Sequence, residues 1–450
     1  MIKVRLISKS TVNPREIISF SAKGCYQDKE PALGEIMDIE NNLFKTGHHT
    51  TLQHSYFTFF IEGIAVSDVT FGLHLASPFY NSSQRSGRFC GKMFSNPDYT
   101  AIGAYIKHHW PELSSQNISL VVDFVKDGIG VYQDNLSKAT EVAKRFIRED
   151  RPKANDDYIE SNGPKFAQEQ LRVFIPTIFP TALTFTVNLS AIVSMFRAAS
   201  SPAMKDTTMQ MACIVLKESP DLDYMFVRKD KEDLPMRIED VKVSTIYTKP
   251  AVFLRSAGES ASFVNPDSED IKNVDLLPFL PEYMNNNTQE VKSLVRISVA
   301  TMGQDQRHRT VRRGRPTFTG EFYLPPVIRE LGLENEAESI LKKWLVLSDG
   351  GLPESLVCSL APYGAMVRYE KSASYNALIH EMLKRSCWCT QEEIFHLAVG
   401  LREEVIAKDG SNSPLLEAFP PPCVRLGYCT EGKRYCGRDM KESPFVNRRV

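Results

Sequence analysis

The chain has 450 residues, with 54 Lys+Arg against 55 Asp+Glu, a formal net charge of -1, and 42% hydrophobic residues. That length allows two or three domains. The near-zero charge gives no global field for nucleic acid, and no apolar run reaches the length of a membrane span.

The opening stretch Met1–Ile7 alternates polar and apolar residues, which predicts a first strand over 3–8 rather than a signal peptide, and a cytoplasmic address by default. Helices are expected over 14–22, where Pro14 suits a first turn, and over 32–46. Ser55–Ile61 is a β-rich apolar run and reads as a buried strand. A helix over 64–76 follows, stopped by Pro78. Residues 115–150 carry two amphipathic stretches, and 166–198 two more helices split near Pro176–Pro180. The charged segment 218–242 reads as a linker or hairpin. A second mixed block begins near 243, with a strand over 291–299 and helices near 326–346, 353–369, 373–386 and 390–407. Residues 412–450 are rich in Pro, Cys and Arg with little periodicity, and read as a loop-rich tail.

One pattern occurs twice. The first copy runs Gly47-His48-His49-Thr50, then Phe57-Thr58-Phe59, Glu62-Gly63-Ile64 and Ser83-Gln84-Arg85; the second is centred on Gln304 and Arg307-His308-Arg309. Phe57 lies sixteen residues before Leu73, and Val291 sixteen before Arg307, so the two strand candidates fall in one register. The copies keep different residues. Leu73-His74-Leu75 stands where the other has Arg307-His308-Arg309, Pro78 and Tyr80 where it has Arg312 and Gly314, and Thr317-Phe318-Thr319 stands where the first ends in Ser83-Gln84-Arg85. Downstream, Arg172, Pro176, Asn188 and Ala199 correspond to Cys358, Pro362, Ser374 and Arg385, the last followed by Thr390-Gln391-Glu392-Glu393-Ile394.

These motifs resemble the flavin-dependent thymidylate synthases, whose hallmark is Arg-His-Arg followed by Ser, Asn, Ser and Arg at fixed spacing. The resemblance implies an α+β fold of helices packed on a sheet, here as two tandem copies: 1–220 and 243–410, a linker 221–242 and a Cys-rich tail 411–450. It implies a homodimer that rebuilds the family's tetramer, with sites drawing on both copies. It further implies FAD, methylenetetrahydrofolate and NADPH acting on dUMP to place a methyl group at C5. Ser83, Gln84, Arg85, Arg172, Gln304 and Arg385 would hold the nucleotide, with Arg385 catalytic at the uracil edge; His48, Thr50, Asn188, Arg307, His308 and Arg309 would frame the flavin. Arginine forks suit a phosphate because they bind two oxygens and stay charged. No thiol nucleophile is needed, so Cys25 and Cys90 are not read as catalytic, and Ser83, with no evident activating base, is read as a ligand-binding hydroxyl.

Other readings stand beside these. His48, His49 and His54 fit ordinary structural roles. Arg307–Arg315 could be a basic patch for nucleic acid. Complementary loss of motif residues also fits a related pyrimidine-nucleotide reaction such as hydroxymethylation, or a non-catalytic binding descendant. Of nine cysteines, five cluster late: Cys387, Cys389, Cys423, Cys429 and Cys436. Cys423, Cys429 and Cys436, with Cys387 or Cys389, could supply four thiolates to a structural zinc; reduced thiols without metal are the alternative.

Overall fold

The computed structural model describes residues 1–76, 80–87, 90–228, 237–238, 245–247, 249–255 and 290–450. Residues 229–236 and 239–242 of the expected 218–242 linker, and Pro78 at the end of the expected 64–76 helix, lie outside them.

Four antiparallel strands form the first sheet, in the order β1 (Lys3–Lys9), β2 (Tyr56–Ala65), β4 (Pro180–Asn188), β3 (Tyr80–Gln84). Phe57, Phe59 and Ile61 alternate into the core, as a strand with one buried face requires. The second sheet contains β5 (Arg237–Ile238), β6 (Thr245–Tyr247), β7 (Ala251–Arg255), β8 (Glu290–Ser298), β9 (Arg312–Arg313), β10 (Thr317–Tyr323) and β11 (Ala365–Ser374). Its antiparallel spine runs β7-β8-β11-β10; β5 and β6 add to β10 in parallel, and β9 pairs with β11. The two spines share one plan. An edge strand pairs with a central strand that runs into a helix; a far-edge strand follows, then helices, then a second central strand that again runs into a helix.

The helices that matter here are α1 (Pro14–Tyr26), α2 (Tyr99–His109), α3 (Ser115–Asp150), α4 (Asp156–Leu171), α5 (Leu189–Ala198), α6 (Pro202–Glu218), α7 (Val299–Asp305), α8 (Glu334–Asp349), α9 (Tyr375–Arg385) and α10 (Glu392–Asp409). Where central strands turn into helices, side chains cap the exposed N–H groups: Asn188 accepts from Ala191 N, Ser298 from Thr301 N and Ser374 from Ala377 N. The two stretches read in 115–150 are one helix of 36 residues, started by Ser114 accepting from Asn117 N. Gly128 lets that helix touch the following chain: a Cβ there would sit 2.3 Å from the Phe174 carbonyl oxygen.

Three expectations are corrected. The two helices read in 166–198 are the end of α4 and α5, but they are separated by β4, where Thr181, Thr184, Thr186 and Val187 favour the extended chain. The 353–369 helix stops at Ser359, and β11 begins at Ala365, where small, aromatic and polar side chains alternate between the two faces of the sheet. Of the 32–46 helix only Glu40–Phe44 forms, after an irregular stretch containing Gly34 with positive φ. Strands β3 and β10 were not singled out in the sequence.

The halves share one hydrophobic core. At their junction Pro176 bridges Pro362. Thr177 N donates to Ala361 O at 2.9 Å, and Tyr363 N donates to Ile175 O at 2.9 Å. Phe71 meets Phe318 edge-on at 5.6 Å nearby. The tail folds back over this unit through two fully buried arginines: Arg151 donates to the carbonyls of Trp388, Cys436 and Val450, and Arg448 to those of Trp388 and Thr390. Buried guanidinium groups satisfied by carbonyls, with their faces against Trp388, Phe166 and Phe395, hold this loop-rich segment in place.

Candidate active site between the halves

Four side chains converge beside the junction. Arg172, in the turn after α4, donates from Nη2 to the side-chain oxygen of Gln391 at 3.1 Å. Gln304 on α7 donates to the same oxygen, and Arg385 in the last turn of α9 donates to the Gln304 carbonyl. The Arg172 guanidinium lies over the Tyr363 ring at 5.3 Å. One half supplies Arg172; the other supplies Gln304, Arg385, Gln391 and Tyr363.

A second contact joins the Arg307–Arg309 turn to β3. Arg307 Nη1 and Arg309 Nη2 donate to the Ser82 carbonyl at 3.1 and 3.3 Å; Arg309 also reaches Asn81 and lies 5.0 Å over the Tyr80 ring. His74 stacks on Tyr80 with ring centroids 4.8 Å apart. Gln306 Nε2 donates to Thr70 O, so its oxygen is free to accept from His74 Nδ1 at 3.4 Å, which leaves His74 Nε2 to accept from Ser82 Oγ at 3.0 Å. Burial, aided by the positive charge of Arg307, pushes the His74 pKa down to about 3, so this imidazole is neutral. His308 packs edge-on against His380 at 5.2 Å, and burial holds it well below the usual histidine range.

Beneath this turn lies a buried ionic group. Asp305 accepts from Arg313 Nε, Tyr369 OH and Lys371 Nζ; Lys371 also donates to Glu381. Arg313 in addition donates to the carbonyls of His308 and Val311 at 2.9 and 2.8 Å, which fixes the turn. Arg312 pairs with Glu290. The Arg307–Arg315 run is therefore not a free basic face: four of its arginines are committed to the protein's own groups.

The nucleotide and flavin residues read from the sequence divide. Arg172, Gln304 and Arg385 come together; Arg307 and Arg309 meet the strand that carries Ser83 and Gln84. Ser83 and Arg85 are exposed and Gln84 is half-buried. Asn188 is buried as the cap of α5. His48 and Thr50 are exposed at the start of the His49–His54 turn, and no hydrogen bond given above joins them to the cluster. Sequence reasoning gave no site role to Gln391, although it stands in the Thr390–Ile394 run, nor to His74, Asn81, Ser82 and Gln306, although they lie within the two motif copies, and Tyr363 carries no motif signal of its own.

Buried atoms without partners remain here: Nε of Arg172, Arg309 and Arg385, and Nδ1 of His308. A cavity of about 310 Å³ opens beside His308, Arg385 and Thr390. Orphaned guanidinium and imidazole atoms next to an opening fit an anionic ligand. The tail thiols line the same cavity: Cys387, Cys389, Cys423 and Cys429. Cys389 lies within hydrogen-bonding reach of Cys387 and Cys436; that contact draws Cys387 down to about 7 and Cys436 to about 6. Cys423 accepts from Arg438 at 3.6 Å. No three of the tail sulfurs lie within 4.8 Å of one another.

Glu393, behind the site, accepts from Ser298 N, Ser298 Oγ and Thr301 Oγ1, and burial pushes its carboxyl up to about 7. The folded chain thus keeps a proton that the unfolded chain releases near 4.5. Stability is expected to fall as pH rises through this window, by on the order of 3 kcal/mol, and to level off above about 7. Urea unfolding of wild type and Glu393→Gln from pH 4.5 to 8 checks this; parallel pH profiles would contradict it.

Comparison with known proteins finds one family over part of the chain. Residues 5–220 match the family described as thymidylate synthase complementing protein. The match spans slightly under half of the chain, and over that span the chain is similar to this family. Among solved structures, it is similar to thymidylate synthase X from Helicobacter pylori, crystallised with FAD and dUMP. One such structure is 15% identical with a TM-score of 0.33, covering 50% of this chain and 97% of that one; a second is 16% identical with the same score and coverage. The UMP/dUMP methylase PolB from Streptomyces cacaoi, bound with 5-Br dUMP, is 17% identical, with a TM-score of 0.30, covering 50% of this chain and 94% of that one. No curated protein matches. Among the described residues no helix is long and apolar enough to cross a membrane.

Proposed function

We propose that this chain is a flavin-dependent enzyme that methylates C5 of dUMP, built from two tandem copies of one unit over 1–220 and 243–410 and working as a homodimer in the cytoplasm. The observation that carries the reading is the convergence of Arg172 from one half with Gln304 and Arg385 from the other. Two features support the duplication: the shared strand plan of the two spines and the reciprocal hydrogen bonds around Pro176 and Pro362.

When bound, FAD would supply hydride, with methylenetetrahydrofolate as carbon donor and NADPH as reductant. Arg172 and Gln304 would clamp the nucleotide, with Ser83, Gln84 and Arg85 completing the binding. Arg385 would polarise the uracil edge. Arg307, His308 and Arg309 would face the flavin, with His48, Thr50 and Asn188 framing it from another copy. The tail thiols Cys423, Cys429 and Cys436, with Cys387 or Cys389, would hold a structural zinc only after they draw together.

A second reading, a nucleotide-binding descendant without redox chemistry, is favoured by one observation: Arg307 and Arg309 already bond to Ser82 and Asn81. The visible spectrum after incubation with FAD and desalting separates the two. A retained flavin band near ~450 nm, as a protein that positions a redox cofactor requires, is expected. A colourless protein would sink the flavoenzyme reading, and product analysis with dUMP then distinguishes methylation from hydroxymethylation.

A further inference from the structure

Helices α2 and α6 bring three electron-pair donors together. His109 Nε2 lies 3.4 Å from Asp206 Oδ2, and His108 Nε2 lies 3.9 Å from the same oxygen. Among the described residues this is the group of His, Cys, Asp and Glu whose ligand atoms all lie within 4.8 Å of one another.

The hydrogen bonds around the group fix its polarity. His109 Nδ1 faces the Tyr105 carbonyl at 3.0 Å, and a carbonyl only accepts, so Nδ1 carries the hydrogen. In the neutral ring Nε2 then presents a lone pair to a carboxylate oxygen. The other Asp206 oxygen is already taken by Gln210 Nε2 at 2.9 Å. Oδ2, His109 Nε2 and His108 Nε2 therefore point at one another with nothing positive between them. One proton on His109 Nε2 would pair that ring with Asp206 Oδ2 but leave out His108, whose ring centroid lies 4.8 Å from that of His109. One divalent cation serves all three donors at once.

We propose that His108, His109 and Asp206 form a binding site for a divalent transition metal of the zinc, cobalt or nickel class. Imidazole and carboxylate ligands suit these ions, whereas calcium and magnesium prefer oxygen alone. The carbonyl behind His109 Nδ1 is the usual outer partner of a metal-bound histidine. His109 is buried while His108 is 47% and Asp206 27% exposed in their side chains, so metal can enter and water can take a fourth position. Gln210 also accepts from Val4 N on β1, so the ion would tie α2 through α6 to the edge of the first sheet. Its role is structural, and it depends on neither flavin nor dUMP.

The test is titration of the chelator-treated full chain with Co(II), following its visible spectrum, in wild type, His108→Ala and Asp206→Asn. Loss of an outer partner alone weakens metal binding about 10- to 100-fold, so loss of a ligand is expected to weaken this site by at least about ten-fold. The expected wild-type spectrum includes cobalt d–d bands without sulfur-to-metal charge transfer, since the tail thiols would give the latter. Absorption carried wholly by thiolate charge transfer, no cobalt binding, or unchanged affinity in both variants would overturn the proposal. The wild-type spectrum decides even if one variant fails to fold.

Discussion

Arg385→Ala is expected to lower kcat for dUMP methylation by about 100- to 1000-fold, the usual cost of removing one preorganised donor aimed at developing charge. Arg385 sits where the last turn of α9 meets the cavity beside His308; one Nη donates to the Gln304 carbonyl and its buried Nε has no partner. A guanidinium tied at one end and unsatisfied at the other is placed to receive a ligand oxygen. Because that bond would strengthen as the ring is polarised, kcat and kcat/KM should fall together, with KM little changed. Arg385→Lys should restore only a small part, since it keeps the charge and loses the fork. The contrasting variant is Arg172→Ala. Arg172 would bind phosphate equally in ground and transition states, so its loss should raise KM more than it lowers kcat. Steady-state kinetics on the three variants checks the assignment. Turnover by Arg385→Ala within about three-fold of wild type, where a missing electrostatic donor costs far more, would remove Arg385 from the chemistry.

The strand that opens the chain, β2 and β8 were legible because their apolar residues alternate or cluster with β-branched neighbours, a local signal. β4 and β11 were not. Each continues directly into a helix, and an apolar sequence that changes period from two to 3.6 within one segment reads as helix throughout unless the junction is marked. The marks were present: Asn188 and Ser374 at the helix caps. β3 was invisible for another reason. Asn81-Ser82-Ser83-Gln84 has little strand preference, and its pairing with β4 is a tertiary effect.

The site shows the same division between local and non-local information. Arg172, Gln304 and Arg385 could be read because motif spacing marks them. The groups that hold them could not. Gln391 accepts from both Arg172 and Gln304, Ser82 offers only its main-chain carbonyl to Arg307 and Arg309, and His74 matters through its stacking on Tyr80. A carbonyl acceptor has no sequence signature. The Arg307–Arg315 run was ambiguous for the opposite reason: charge density is local information, while the partners that neutralise it (Asp305, Glu290, Asn81) are set by the fold.

Asp305→Asn is expected to destabilise the protein by about 3–5 kcal/mol, the cost of breaking a buried ionic group by removing one partner. Asp305 is fully buried, and its two oxygens accept from Lys371 on one side and from Arg313 and Tyr369 on the other. An asparagine of the same shape would present N–H to a cation on one side and leave two buried positive groups against Glu381 alone. Burial by itself would raise the Asp305 pKa; Arg313 and Lys371 overcome that and hold it well below the usual carboxylate range. Burial, with the Asp305 charge beside it, pushes Glu381 up, so of the two carboxyls Asp305 ionises first as pH rises. The sign follows. A depressed carboxyl contributes stability that is complete above its unfolded value, near 4, and is lost as pH falls through the folded value. Wild type should therefore lose stability below about pH 4 more steeply than Asp305→Asn, whose curve lacks this contribution. The same substitution should loosen the 307–311 turn, because Arg313 joins Asp305 to the His308 and Val311 carbonyls. Flavin retention should fall with stability in this variant, whereas Arg385→Ala should keep its flavin. Urea unfolding at a series of pH values, with flavin occupancy measured on the same samples, checks both. A loss under about 1 kcal/mol at pH 7, below what a broken buried pair costs, would show that the ionic group is dispensable and that the turn is held by other contacts.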